Sequence, residues 1–245
     1  MNGRTLLTAA AAALVGLVAG FLLANSINRS ELATLRAESA SSKTERPAGT
    51  GQDAKSVLTD EEINSTIVRA DQSPSDFEIQ RNVGVAIYRY GAMKQDEKLI
   101  RQSLRILDRA AALRPDDFDV NLTLANAHFD VGYFSKDNEA LVRSRKLYLK
   151  SLAGRPDNVE IRTDLGLTHF LQTPPDYNGA VAEFQKALEK NPKHEKTLQF
   201  MVQALIKQNK FPEAAEYLEQ LRTVNPQNQS IGELSSMLAS SQPAG

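Results

Sequence analysis

Three histidines, His128, His169 and His194, most invite a metal or proton-transfer reading of this 245-residue chain. His128 and His169 each stand thirteen residues after a proline, in register with Ile87 and Leu205, where helix packs on helix. Helices packed at ~8–10 Å would hold two such rings roughly 10 Å apart, whereas the ligands of one zinc ion converge to ~2.0–2.1 Å. His194 falls in a turn further along. The histidines therefore read as packing residues, and no metal is expected. Carboxylates are plentiful, as in Asp116–Asp117 and Asp60–Glu61–Glu62, but they sit at turns and helix starts, where they cap free amides and complement the helix dipole. Acid–base catalysis needs a shielded pocket that shifts a pKa, and nothing in the pattern foretells one. The sequence has no GxSxG elbow, no HExxH, no phosphate loop and no dinucleotide GxGxxG. With no cysteine, thiolate metal sites and cysteine nucleophiles are excluded too. Neither an enzyme nor a cofactor is expected.

Charge narrows the partners. Lys and Arg number 29 and Asp and Glu 30, a formal net charge of −1, which lacks the basic field that displaces counterions from nucleic acid. A hydrophobic fraction of 41% can build a core. The length suits one domain with an appendage.

The appendage is N-terminal. Between Arg4 and Arg29 no residue is charged, and Leu6 to Ala24 is mostly Ala, Leu, Val and Gly. About 20 helical residues span a ~30 Å hydrocarbon layer, so residues 1–28 read as a transmembrane anchor. The alternative is a cleaved secretory signal, with Ala24-Asn25-Ser26 as the cleavage candidate. Gly16 and Gly20 form a GxxxG pair that would let two such helices pack and the protein self-associate. The basic residues that follow, Arg29, Arg36, Lys43 and Arg46, favour a cytoplasmic domain by the positive-inside rule. The short head before the apolar run favours export. On balance the expectation is a single-pass bacterial inner-membrane protein with a periplasmic domain. Residues 29–56, polar and small, read as a flexible linker.

The remainder, 57–240, is a repeat punctuated by prolines. Pro74, Pro115, Pro156, Pro192 and Pro226 are separated by 41, 41, 36 and 34 residues. Nine residues after each of the first four stand Val83, Leu124, Leu165 and Met201, followed by Gly84, Ala125, Gly166 and Val202. Eight before the next proline stand Leu107, Tyr148, Phe184 and Leu218, and five before it Ala110, Ser151, Ala187 and Leu221. Small residues let paired helices approach, large ones fill the space between pairs, and proline stops each helix. The seven extra residues of the first two units equal about two helical turns, one for each helix of a hairpin. The expected repeats are about 75–115, 116–156, 157–192 and 193–226. Capping helices about 59–71, with Asp60 as the N-cap, and 228–239 cover the apolar ends.

This pattern resembles the tetratricopeptide repeat. The best single match is Arg162–Leu167 with Tyr177–Leu188, although the chain has no tryptophan and places Ser144 and Ser151 where alanine is usual. The resemblance implies an all-α solenoid whose first helices line an inner surface. There, residues 7, 11 and 14 after each proline share one face: Arg81, Val85 and Tyr88; Leu122, Asn126 and Phe129; Thr163, Leu167 and Phe170; Gln199, Gln203 and Ile206. Tyr88, Phe129, Phe170 and Ile206 either line a groove for a peptide or helix or pack between adjacent first helices. On the groove reading, a charge at Phe129 or Phe170 weakens partner capture without unfolding. The family's grip on a C-terminal carboxylate is not matched. Arg81 is basic, but Val85 stands where Asn is required, and Asn126 has Leu122 and Asp164 as unsuitable companions. The expected function is a membrane-anchored adaptor or scaffold binding a protein or peptide partner, itself membrane-associated. Residues 156–226 also resemble the tetratricopeptide regions of bacterial cytochrome c assembly factors, which implies apocytochrome binding as an alternative. A purely structural, self-associating module is a third.

Overall fold

The computed structural model describes residues 59–241, and the anchor, the linker and the Gly16–Gly20 pair lie outside them. Ten helices follow in order: α1 Asp60–Gln72, α2 Phe77–Lys94, α3 Glu97–Leu113, α4 Phe118–Ser135, α5 Asn138–Gly154, α6 Val159–Leu171, α7 Tyr177–Lys190, α8 Glu195–Lys207, α9 Phe211–Val224 and α10 Ile231–Ser241. Among the described residues there is no strand. Nor is any described helix long and apolar enough to cross a membrane.

All five repeat prolines fall in the turns between hairpins, as their missing N–H and fixed φ require. Capping chemistry reinforces each stop. Two residues after the proline, Asp76, Asp117 and Asn158 accept from the backbone N–H of Ile79, Val120 and Ile161 and so cap α2, α4 and α6. Asp96, Asp137 and Asp176 do the same for α3, α5 and α7. The fourth unit has His194 and Lys210 at these places and no side-chain cap. The cap of α1 is Thr59, not Asp60, because Thr59 and Glu62 form a reciprocal capping box. Asp137→Ala, which strips two accepted hydrogen bonds from the start of α5, should cost about 1 kcal/mol. Thermal unfolding followed by circular dichroism would show it as a drop of a few degrees in Tm.

The extra residues of the first two units extend both helices of each hairpin: α2 and α4 have 18 residues and α3 and α5 have 17. In the third and fourth units the helices have only 13 or 14. Close approach within hairpins depends on the small residues. A Cβ on Gly84 would lie 2.7 Å from Leu107 Cγ, and one on Gly166 would lie 2.5 Å from the Phe184 ring. Between units, Leu107, Tyr148, Phe184 and Leu218 are buried. Phe184 stacks on Phe200 of the next hairpin, with centroids 6.4 Å apart.

Besides packing against its own partner, α2 touches α4, α6 touches α8 and α8 touches α10, while successive second helices make no comparable contact. The first helices therefore occupy the inner side of the stack. Contact between α4 and α6 is weaker than between the flanking pairs.

Candidate functional site

The inner face is built from the sides of α2, α4, α6 and α8, and the twelve residues expected there divide into two groups. Arg81, Val85, Leu122 and Asn126 remain partly exposed. The other eight do not. Tyr88, Phe129, Phe170 and Ile206 are at most 7% exposed, and Thr163, Leu167, Gln199 and Gln203 are equally enclosed. The aromatic row is thus core rather than an open apolar groove. Phe170 meets Tyr177 and Phe200 edge-on, at 5.4 and 6.1 Å between centroids. Phe129 belongs to the same continuous cluster. The packing alternative holds at these positions because neighbouring first helices leave no solvent gap for a large side chain.

Polar groups occupy the region between α4 and α6 instead. Tyr88 is buried, and its hydroxyl donates to Asp130 Oδ2 at 3.0 Å. Tyr148 donates to Asn126 Oδ1 at 2.8 Å. Asn126 and Asp130 are one turn apart on α4, so two tyrosine hydroxyls, from α2 and α5, fix an amide and a carboxylate side by side. On the α6 side, Asp164 pairs with Lys196 Nζ of α8 at 2.7 Å, and that nitrogen lies 3.6 Å from Glu160. Thr163 and Thr197 share a 2.7 Å hydrogen bond beneath this pair.

Electrostatics follow from the enclosure. Burial pushes the Asp130 carboxyl up to about 7. The Tyr88 hydrogen bond opposes that rise, and the charge of Asp164 adds to it. Burial also raises Asp164, against the pull of Lys196. A carboxyl whose folded pKa lies above its unfolded value near 3.8 contributes stability that is complete below that value and is lost as pH rises through about 7. From pH 5.5 to about 7, therefore, Asp130→Asn should gain Tm relative to the unsubstituted protein by a margin that widens with pH and levels off above about 7. A constant margin would contradict it. The comparison must be made at equal pH because His128, lowered by burial to about 4, acts oppositely, its contribution being lost as pH falls below about 6.5.

Behind the inner face, three buried amide atoms have no partner among the described residues. Gln203 is fully enclosed, yet neither its Nε2 nor its Oε1 has a partner, and Gln199 Oε1 has none either. Each buried orphan costs about 1–3 kcal/mol, and Gln203 sits in the register of Asn126.

The histidines do not converge. His128 is buried, His169 Nδ1 contacts Asp176 Oδ2 at 2.9 Å, and His194 bridges Thr197 and Glu160. Among the described residues no group of three His, Asp or Glu could hold a metal ion. Sequence reasoning passed over Asp130, Asp164 and Lys196 as site residues. Their signal was register: they stand 15, 8 and 4 residues after their prolines, on the same inner side as the residues selected.

Comparison with known proteins agrees with the hairpin stack. Residues 176–238 match the tetratricopeptide repeat family. That match runs from α7 into α10, and the helices before it repeat the same paired arrangement. Solved structures share the fold. A MamA fragment, residues 41 to the end, from Desulfovibrio magneticus RS-1 superposes with a TM-score of 0.55 at 16% identity, covering 69% of this chain and 87% of that one. A MamA AMB-1 structure gives 0.51 at 26% identity, covering 71% and 81%. No curated protein matches the chain by sequence.

Proposed function

We propose that this protein is a membrane-anchored adaptor whose helical stack binds a segment of another protein along its inner face. The observation that carries this reading is the set of partly exposed side chains on that face, Arg81, Val85, Leu122 and Asn126, with Asp130 beside them. Val85 and Leu122 offer apolar contact, and the Asn126 amide nitrogen can donate to a peptide carbonyl.

The anchor is the apolar run Leu6–Ala24, whose number of residues suits a membrane span. Confinement to a membrane raises the effective concentration of any partner in the same bilayer, so a membrane-associated partner is the preferred one. The domain is assigned to the periplasm of a bacterial inner-membrane protein. Protease added to spheroplasts should then remove the repeat domain, and protection until the membrane is broken would reverse that assignment.

Binding is tested by cross-linking in cells, followed by capture of the full-length protein. Val85→Lys with Leu122→Lys should reduce the recovered partner severalfold, read against a melting curve that stays cooperative, since both side chains also pack against the core. Equal recovery from the doubly substituted and unsubstituted proteins would remove the inner face from the account.

A further inference from the structure

Asp130 is a carboxylate that the protein positions with care and leaves without a counter-charge. Its Oδ2 accepts from Tyr88, and no described residue donates to Oδ1. The ionisable side chains facing it are Tyr88 from α2, Tyr148 from α5 and Asp164 from α6, none of them a cation. The nearby lysine, Lys196, is engaged by Asp164 and Glu160. Among the described residues Asp130 makes no salt bridge, yet it keeps part of its surface open beside Asn126, where contact between α4 and α6 is weaker than between the flanking first helices.

A second feature points to a ligand. The Asn126 carbonyl oxygen accepts from Tyr148, which turns the amide nitrogen, a donor, away from that bond. A ligand that answers Asp130 and Asn126 together presents a positive charge beside a hydrogen-bond acceptor.

We propose that Asp130 selects a lysine or arginine side chain in the protein segment bound along the inner face. The inference rests on the adaptor reading above and adds to it the chemistry of the recognised residue. A charge pair formed in an enclosed site gives discrimination, because a neutral side chain leaves the carboxylate desolvated and unpaired. An acidic residue at that point of the segment meets Asp130 and Asp164 together and is rejected.

The test uses the full-length protein in detergent micelles and a display library of fully randomised 12-residue peptides. Selection should enrich peptides with Lys or Arg at one fixed position of the aligned set. In the tightest of them, replacing that residue by Met should weaken binding about tenfold or more. Asp130→Asn, which keeps an acceptor for Tyr88, should weaken the basic peptide to the same extent and leave the Met peptide unchanged. The peptide replacement alone tests the claim on the unsubstituted protein if Asp130→Asn does not fold. Enrichment without a basic position, or equal weakening of both peptides by Asp130→Asn, overturns the inference and leaves the adaptor reading standing. Recovery of no peptide above the empty support overturns both.

Discussion

Phe129→Asp and Phe170→Asp each abolish the cooperative helical transition, instead of leaving a folded protein with a weakened grip. Both rings are almost fully enclosed, at 3% and 6% exposure. Removing a buried phenylalanine costs about 3–5 kcal/mol. An unpaired carboxylate in its place adds several more or is forced to take up a proton. Against a total stability of about 5–15 kcal/mol, the sum leaves little folded protein. Phe170 is the more sensitive, because it links α6 to both Tyr177 and Phe200. Far-UV circular dichroism and a melting curve decide the matter. A native melt for Phe170→Asp would mean that this ring faces solvent, and would restore the open aromatic groove that the sequence left as one alternative.

Loss of Lys196 has the next largest effect. Its ammonium is 4% exposed and bonds Asp164 at 2.7 Å, between α8 and α6. Lys196→Met leaves Asp164 in an enclosure that raises its pKa even with the lysine present. Breaking a buried pair from one side costs about 3–5 kcal/mol. Adding Asp164→Asn removes the stranded charge, so the double variant should be more stable than Lys196→Met alone. Urea unfolding midpoints of the single and double variants measure this directly. Independent, additive losses would mean that the two groups do not act as a pair.

The stack itself was legible because its rule is simple and local. Proline cannot continue a helix, so five prolines at regular spacing expose every boundary between hairpins. The lengthened units were legible for the same reason, since seven residues make two turns. The turn inside each hairpin was harder to place. Gln95, Lys136 and Asn209 carry positive φ values of 55–59°, a conformation that sequence signals with glycine, and none of the three is glycine. The Thr59 cap was missed by one residue because Asp60 is an equally good capping type.

The site was less legible, for a physical reason. Period and spacing identify which residues share a side of a helix, but they do not say how closely the next helix lies. Tyr88, Phe129, Phe170 and Ile206 have the right register for a groove and are covered because adjacent first helices touch. Asn126 and Asp130 stay partly exposed where contact between α4 and α6 is weaker. That difference arises from packing summed over whole hairpins, and no single residue announces it. Tyr148 shows the limit well. Its place before Pro156 marks it as a packing residue, which it is, yet its hydroxyl also orients Asn126 on a different helix.

The claim on which the account turns is that a partner segment lies along the inner face. A photo-crosslinking amino acid placed singly at Val85, Leu122 and Asn126, and for comparison at Val142 and Leu149 on the exposed side of α5, tests it in living cells. The account predicts a shared cross-linked product from the three inner positions and none from the two on α5. The same product from Val142 and Leu149, with nothing from Val85, Leu122 or Asn126, would contradict it.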